Sequence, residues 1–171
     1  MTTQGDQRAP NARGHPFSRW LPALVLVAAC GGGSTRDPGG AAVPYDLVYA
    51  GQQSGVESPL REVARTENQW AAVWGRITTD RSPAPPLPEV DFERYMLIAV
   101  GLGTRPSGGY AVRIASATAG SDALTVTVEE VAPGAGCIAT MALTAPVVVV
   151  RVERFDEEVA FAETREERPC D

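Results

Sequence analysis

The chain has 171 residues, with 15 basic side chains (all Arg), 21 acidic ones, a single His and three Cys, for a net charge of −6. At 44% hydrophobic and 21% charged it has the composition of one folded domain with an appendage, neither disordered nor membrane-spanning throughout. The acidic balance excludes a nucleic-acid partner, which demands a basic face, and the lack of Lys beside a lone His removes the commonest Schiff-base former and general base.

Residues 1–19 carry Arg8, Arg13 and Arg19 against Asp6, and an apolar run then extends from Trp20 to Ala29 and ends at Cys30. Ten apolar residues make a helix of about 15 Å, half of what the roughly 30 Å hydrocarbon core of a bilayer requires. A positive start, a short apolar run and small residues after it predict a secretory signal rather than a transmembrane helix. Val27-Ala28-Ala29-Cys30 resembles the bacterial lipobox. That resemblance implies cleavage before Cys30, lipidation of its sulfur, and membrane attachment through acyl chains. Gly31, in place of the Asp that favours inner-membrane retention, points to the outer membrane. The expected organisation is a lipoprotein signal peptide at 1–29, a lipidated Cys with a Gly-rich tether at 30–44, and a single globular domain at 45–171. Without the leader, whose three Arg and one acid give +2, the remainder holds twelve Arg and twenty acids, a net −8. His15, the one His, belongs to the leader.

The body opens with a predicted strand at 45–50, a Gly/Ser loop through Ser58 and a second short strand at 60–65. Thr66 with Gln69 three residues on gives the capping-box spacing. Trp70, Val73, Trp74 and Ile77 then recur as one helical face. Two Trp one turn apart on that face read as core anchors rather than a ligand platform. Residues 78–88 carry four Pro and read as an exposed, stiff loop. Residues 95–102 form a near-continuous apolar run, as in a central strand. Segments 109–117 and 123–131 alternate, with Leu124, Val126 and Val128 against Thr125, Thr127 and Glu129, and Gly120-Ser121-Asp122 supplies the turn between them. Strands are further predicted at 138–143 and 147–153 on either side of Pro146. One at 159–164 closes a hairpin across 154–158. The fold class is therefore α+β: a mostly antiparallel β sheet or sandwich of about seven short strands with one main α-helix.

Few residues offer chemistry. Gly101-Leu102-Gly103 precedes no helix and is not a nucleotide fingerprint. After the leader no Ser has a His or Lys to activate it, and two Cys without His do not make a zinc site. No metal and no cofactor are expected. Asp91 and Glu93 share a face if their stretch is a strand, a weak signal for an acid pair against the commoner solvated edge. Glu129 and Glu130 point to opposite faces. Asp156-Glu157-Glu158 reads as a solvated turn before it reads as a Ca²⁺ site. Catalysis is therefore not expected. Cys137 and Cys170 remain once Cys30 is lipidated, and an exported compartment permits a disulfide between them. Arg105, Pro106, Ser107, Gly108, Gly109 and Tyr110 form a stiff hairpin loop between two strands, Pro presetting the turn and the Gly pair allowing positive φ.

An ordered set of motifs adds to this. Asp91-Phe92 leads into an apolar strand and Gly103-Thr-Arg-Pro-Ser-Gly-Gly-Tyr110 follows, with Trp70 and Trp74 upstream and Leu143-Thr-Ala-Pro146 downstream. Over roughly residues 45–165 the set resembles the C-terminal domain of the protease complex subunit PrcB family. The resemblance implies a lipoprotein that assists an exported protease. On that expectation, residues 105–110 contact a protein partner, the exported protease or another envelope protein. Arg and Tyr are residue types enriched at binding hot spots, and a stiff loop loses little entropy on docking. A structural envelope lipoprotein is the alternative. So is a protease-inhibitor-like module, since a rigid loop ending in Gly-Tyr is loosely similar to those of chagasin-type inhibitors.

Overall fold

The computed structural model describes residues 40–169, which leaves the leader, Cys30 and Cys170 outside the described residues. Among the described residues the elements are β1 (Ala41–Ala42), β2 (Tyr45–Gly51), β3 (Leu60–Ala64), α1 (Glu67–Ile77), β4 (Tyr95–Gly101), β5 (Ala111–Ala119), β6 (Ala123–Pro133), β7 (Val147–Glu153) and β8 (Glu158–Arg168). The fold is the expected α+β sandwich, with eight strands rather than seven. One sheet runs β1-β5-β6-β8 and the other β2-β7-β4-β3. Every pairing is antiparallel except that of β6 with β8, which is parallel.

Strands β4 and β7 explain themselves through the layers. Met96, Ile98, Val100, Val148, Val150 and Val152 face the first sheet and pack on Ile114, Ala117, Leu124, Val126 and Val128. Leu97, Ala99, Val147 and Val149 face the other way, onto Trp70, Val73, Trp74 and Ile77 of α1. Strands buried on both faces need apolar residues at every position, which is why their sequences do not alternate. Strands β5 and β6 have one solvated face, and theirs do.

Helix α1 forms where the capping pattern places it. Thr66 Oγ1 accepts from the Gln69 amide at 3.3 Å, while Gln69 Oε1 accepts from the Arg65 amide at 2.8 Å, one residue earlier than in the standard box. Both Trp indoles are core, with ring centroids 5.2 Å apart. Their N–H groups are satisfied by the Pro-rich loop: Trp70 Nε1 donates to the Pro88 carbonyl at 3.0 Å and Trp74 Nε1 to that of Pro85 at 3.1 Å. The loop that the prolines stiffen thus carries the acceptors that let two indoles be buried.

Four expectations fail. Residues 105–110 are not a hairpin loop: β4 is already flanked by β3 and β7, so the chain must cross to the other sheet to start β5. The 154–158 turn does not close a hairpin, because both edges of β7 are taken by β2 and β4; β8 instead joins the first sheet beside β6. Residues 138–143 form no strand and lie in a loop between β6 and β7. The Asp91–Arg94 stretch is a turn in which Asp91 Oδ1 accepts from the Glu93 amide at 3.0 Å, so those two acids share no strand face. Ala41 and Ala42, near the end of the segment read as a tether, pair with Ala119 and Thr118.

Candidate functional site

Both ends of the sandwich can be read from its registers. Where the chain enters, Ala41 lies beside Ala119, while Tyr45, Tyr95 and Glu153 line up at the corresponding end of the second sheet. At the opposite end stand Ala111, Val131 and Pro133, together with Gly51, Gly101 and Val147.

The end where the chain enters is charged. A shallow cleft of about 670 Å³ there is lined by Tyr45, Asp46, Arg94, Tyr95, Arg151 and Glu153, among others. Its charges are largely answered locally. Arg151 donates to Asp46 Oδ2 at 2.7 Å and lies 4.6 Å from the Tyr95 ring centroid; the hydrogen bond to Asp46 raises its pKa further. Arg154 reaches Asp156 Oδ1 at 3.0 Å and the Phe92 carbonyl at 2.9 Å. That places Asp156 in an ion pair. Among the described residues no three His, Cys, Asp or Glu side chains gather for a metal.

The opposite end holds the 105–110 segment, and the structure ties it to a second loop, residues 134–146. Arg105 and Thr144 exchange backbone hydrogen bonds of 2.7 and 3.0 Å, and the Gly108 amide donates to the Thr140 carbonyl at 2.9 Å. Thr144, itself buried, donates its hydroxyl to the Ser107 carbonyl at 2.8 Å. Gly109 takes φ +86 with Pro133 against it; a Cβ there would meet the Pro133 ring at 3.1 Å. Gly103 takes φ +75 and approaches residues 57–58 so closely that a Cβ would lie 2.7 Å from the Glu57 carbonyl oxygen. Only glycine fits either position without strain.

Within the crossover the predicted contact residues divide. Pro106 and Gly109 are exposed; Arg105, Ser107, Gly108 and Tyr110 are half-buried. The Arg105 guanidinium donates to Glu130 Oε2 at 3.2 Å and lies 5.8 Å from the Tyr110 ring centroid. Glu130 also meets Arg165 at 3.5 Å. Glu130 sits at the end of the inward face of β6, so this cluster joins the crossover to β6 and β8. As expected, Glu129 faces the other way, onto Arg113 at 2.6 Å.

Residues 96–153 match the PrcB C-terminal family model. The PrcB resemblance drawn from the ordered motifs holds over that stretch. It takes in β4, the crossover, β5, β6, the 134–146 loop and β7, while the Trp70/Trp74 and Asp91-Phe92 motifs lie upstream of the PrcB C-terminal match. Neither a curated protein nor a solved structure matches the chain.

Sequence reasoning missed the 134–146 loop. Of the five large apolar side chains left exposed among the described residues, three belong to it: Ile138 at 104%, Met141 at 94% and Leu143 at 67%. Signals were available. Gly134, Gly136 and Pro146 bracket the segment, and Ala and Gly are poor strand residues. Cys137 is disulfide-bonded, and its Sγ lies 3.9 Å from the carbonyl oxygen of Arg168. The Gly134 amide donates to that same oxygen at 2.8 Å. The end of β8 is therefore fastened beside Cys137, with Cys170 two residues further on.

Proposed function

We propose that this chain is a non-catalytic, lipid-anchored envelope protein that acts as an accessory subunit of an exported protease. The observation that carries the reading is the PrcB C-terminal match, because the matched segment contains both loops at the end opposite the point where the chain enters. Support for a non-catalytic role comes from the sequence: after His15 the chain offers no His, and it has no Lys anywhere. The carboxylates near Asp91 and Asp156 are engaged in a local turn and an ion pair. Attachment through Cys30 and export to the outer membrane rest on the lipobox-like Val27-Ala28-Ala29-Cys30.

The test is purification of the tagged full-length protein from membranes in mild detergent, with peptide hydrolysis assayed across the elution. An exported protease recovered at constant ratio, with activity that the separated chain lacks, is the expected result; hydrolysis by the separated chain would overturn it. Cys30→Ser abolishes fatty-acid labelling if the anchor is correctly placed.

A further inference from the structure

We infer that the free edge of β8 is a self-recognition surface, where two copies of this chain pair antiparallel, β8 against β8, about a two-fold axis through Thr164.

Strand β8 pairs with β6 along its whole length without a register shift, and among the described residues no strand lies on its other side. The other open edges are blunted. β1 has two residues. β3 has five, with the Arg61 guanidinium folded back onto the Leu60 carbonyl at 2.7 Å. β2 breaks register between Leu47 and Tyr49. Beyond its short contact with β1, β5 breaks register between Ile114 and Ser116, and the Tyr45 hydroxyl donates to the Ile114 carbonyl at 2.7 Å. Short length, bulges and covering side chains are the usual devices that keep an edge from pairing. β8 has none of these: it runs 11 residues without Gly, Pro or bulge, about 36 Å of regular backbone. What it carries instead is charge, which repels most partners and most registers.

A second copy answers those charges in one register. An axis through a residue, rather than between two, keeps the inner faces of both sheets on the same side. With the axis at Thr164, Glu163 of each copy stands opposite Arg165 of the other and Thr164 meets its own counterpart. The remaining charges, Glu166, Glu167 and Arg168, meet Ala162, Phe161 and Ala160. No like charges are opposed. An axis at Glu163 or Arg165 sets that residue against itself, and one at Ala162 sets Glu158 against Glu166. An axis at Phe161 brings no opposite charges together. Opposite-charge and Thr–Thr pairs across a ladder stabilise it, while like charges weaken it.

The side chains at the axis are placed for this. Glu163 meets Arg61 of β3 at 2.9 Å and Arg165 meets Glu130 of β6 at 3.5 Å, yet the two remain 63% and 58% exposed. Each can therefore hold a further partner. Pairing across the axis links Arg61, Glu163, Arg165 and Glu130 into a row of alternating charge, once on either side of Thr164. A foreign strand of one sign would answer only half of that row. The first sheet becomes a single sheet shared by both copies, and the two-fold closes the assembly.

The full-length protein, purified in density-matched detergent, is followed by sedimentation equilibrium beside its Glu163→Arg and Arg165→Glu variants. The unaltered chain should form a concentration-dependent dimer, and either variant alone should self-associate at least about tenfold more weakly. Mixing the two variants should recover the dimer, because the mixture restores opposite charges at both sites. In cells, Thr164→Cys should give a disulfide-linked dimer on a non-reducing gel, since directly opposed Cα atoms lie within bridging reach. Ala162→Cys, displaced along the ladder from its own copy, should not. Circular dichroism and the thermal midpoint establish that each variant is folded. A monomer at every concentration, undiminished self-association of a single variant, or a mixture that stays monomeric overturns the pairing. Linkage through Ala162→Cys as ready as through Thr164→Cys overturns the register. An adduct of Thr164→Cys with a different protein overturns the second copy as occupant.

Discussion

Arg105 illustrates how a residue type marked for binding becomes structural. Its side chain is 24% exposed and that of its partner Glu130 21%, so the pair is shielded enough to matter and wet enough to be modest. A double-mutant cycle with Arg105→Ala and Glu130→Gln, read by urea unfolding, should give a coupling of about 1 kcal/mol. An Arg105→Ala change therefore weakens the fold as well as any contact, and a loss of binding in that variant alone would not identify an interface residue. On the outer face of the first sheet, Arg113 bridges Glu129 and Glu166 at 2.6 and 2.8 Å. The hydrogen bond from Arg113, followed by that of the Glu166 side chain, holds the Glu129 carboxyl below its ordinary value. A depressed folded-state pKa stabilises the ionised form. That contribution is complete above the unfolded-state value near 4.5 and disappears as pH falls through the lower folded value. NMR titration should find the Glu129 midpoint below that of an ordinary glutamate, and Arg113→Ala should move it back up.

At the scale of elements, two kinds of local signal behaved differently. Capping and helical periodicity lie within a few residues of one another, and they located α1 and its buried face. Thr66→Ala should cost about 1 kcal/mol by denaturant unfolding, since it removes the acceptor for the Gln69 amide while leaving the Trp face intact. Strand pairing is not local in this way. The apolar runs of β4 and β7 declared themselves buried on both faces, but nothing within them states which neighbours occupy their edges. With both edges of each filled, β5 and β8 had to start in the other sheet. What reads as two hairpin turns is thus a pair of crossings between layers. The 138–143 stretch is apolar enough for a strand, yet it lies in a loop whose backbone bonds go to the crossover, Thr140 to Gly108 and the adjoining Thr144 to Arg105.

For the molecule as a whole, the sandwich has a charged cleft at the end where the chain enters and, at the other end, two loops that interlock beside the Arg105–Glu130 pair. The disulfide of Cys137 belongs to that second end, and the partner expected from the sequence is Cys170, which lies outside the described residues. A bridge enclosing about 32 residues is worth roughly 3–4 kcal/mol on the chain-entropy model. Non-reducing peptide mapping should yield one linked Cys137–Cys170 peptide pair, and reduction should lower the unfolding midpoint. An unchanged midpoint on reduction would show that the bridge contributes nothing to global stability.

The sequence by itself determined the α+β class, the single helix with its two buried indoles, the alternating strands of the solvated sheet, and a resemblance to the PrcB C-terminal family that holds over residues 96–153. These are readable because they depend on neighbours a few residues apart, or on a burial requirement that each residue states by its own chemistry. Only the tertiary structure decided which strands share an edge, that β8 runs parallel to β6, that Arg105 faces Glu130, and that Ile138, Met141 and Leu143 are left outside. Those outcomes depend on which edges and faces other segments have already occupied. Residues distant in the chain settle that competition, and no single segment records its result.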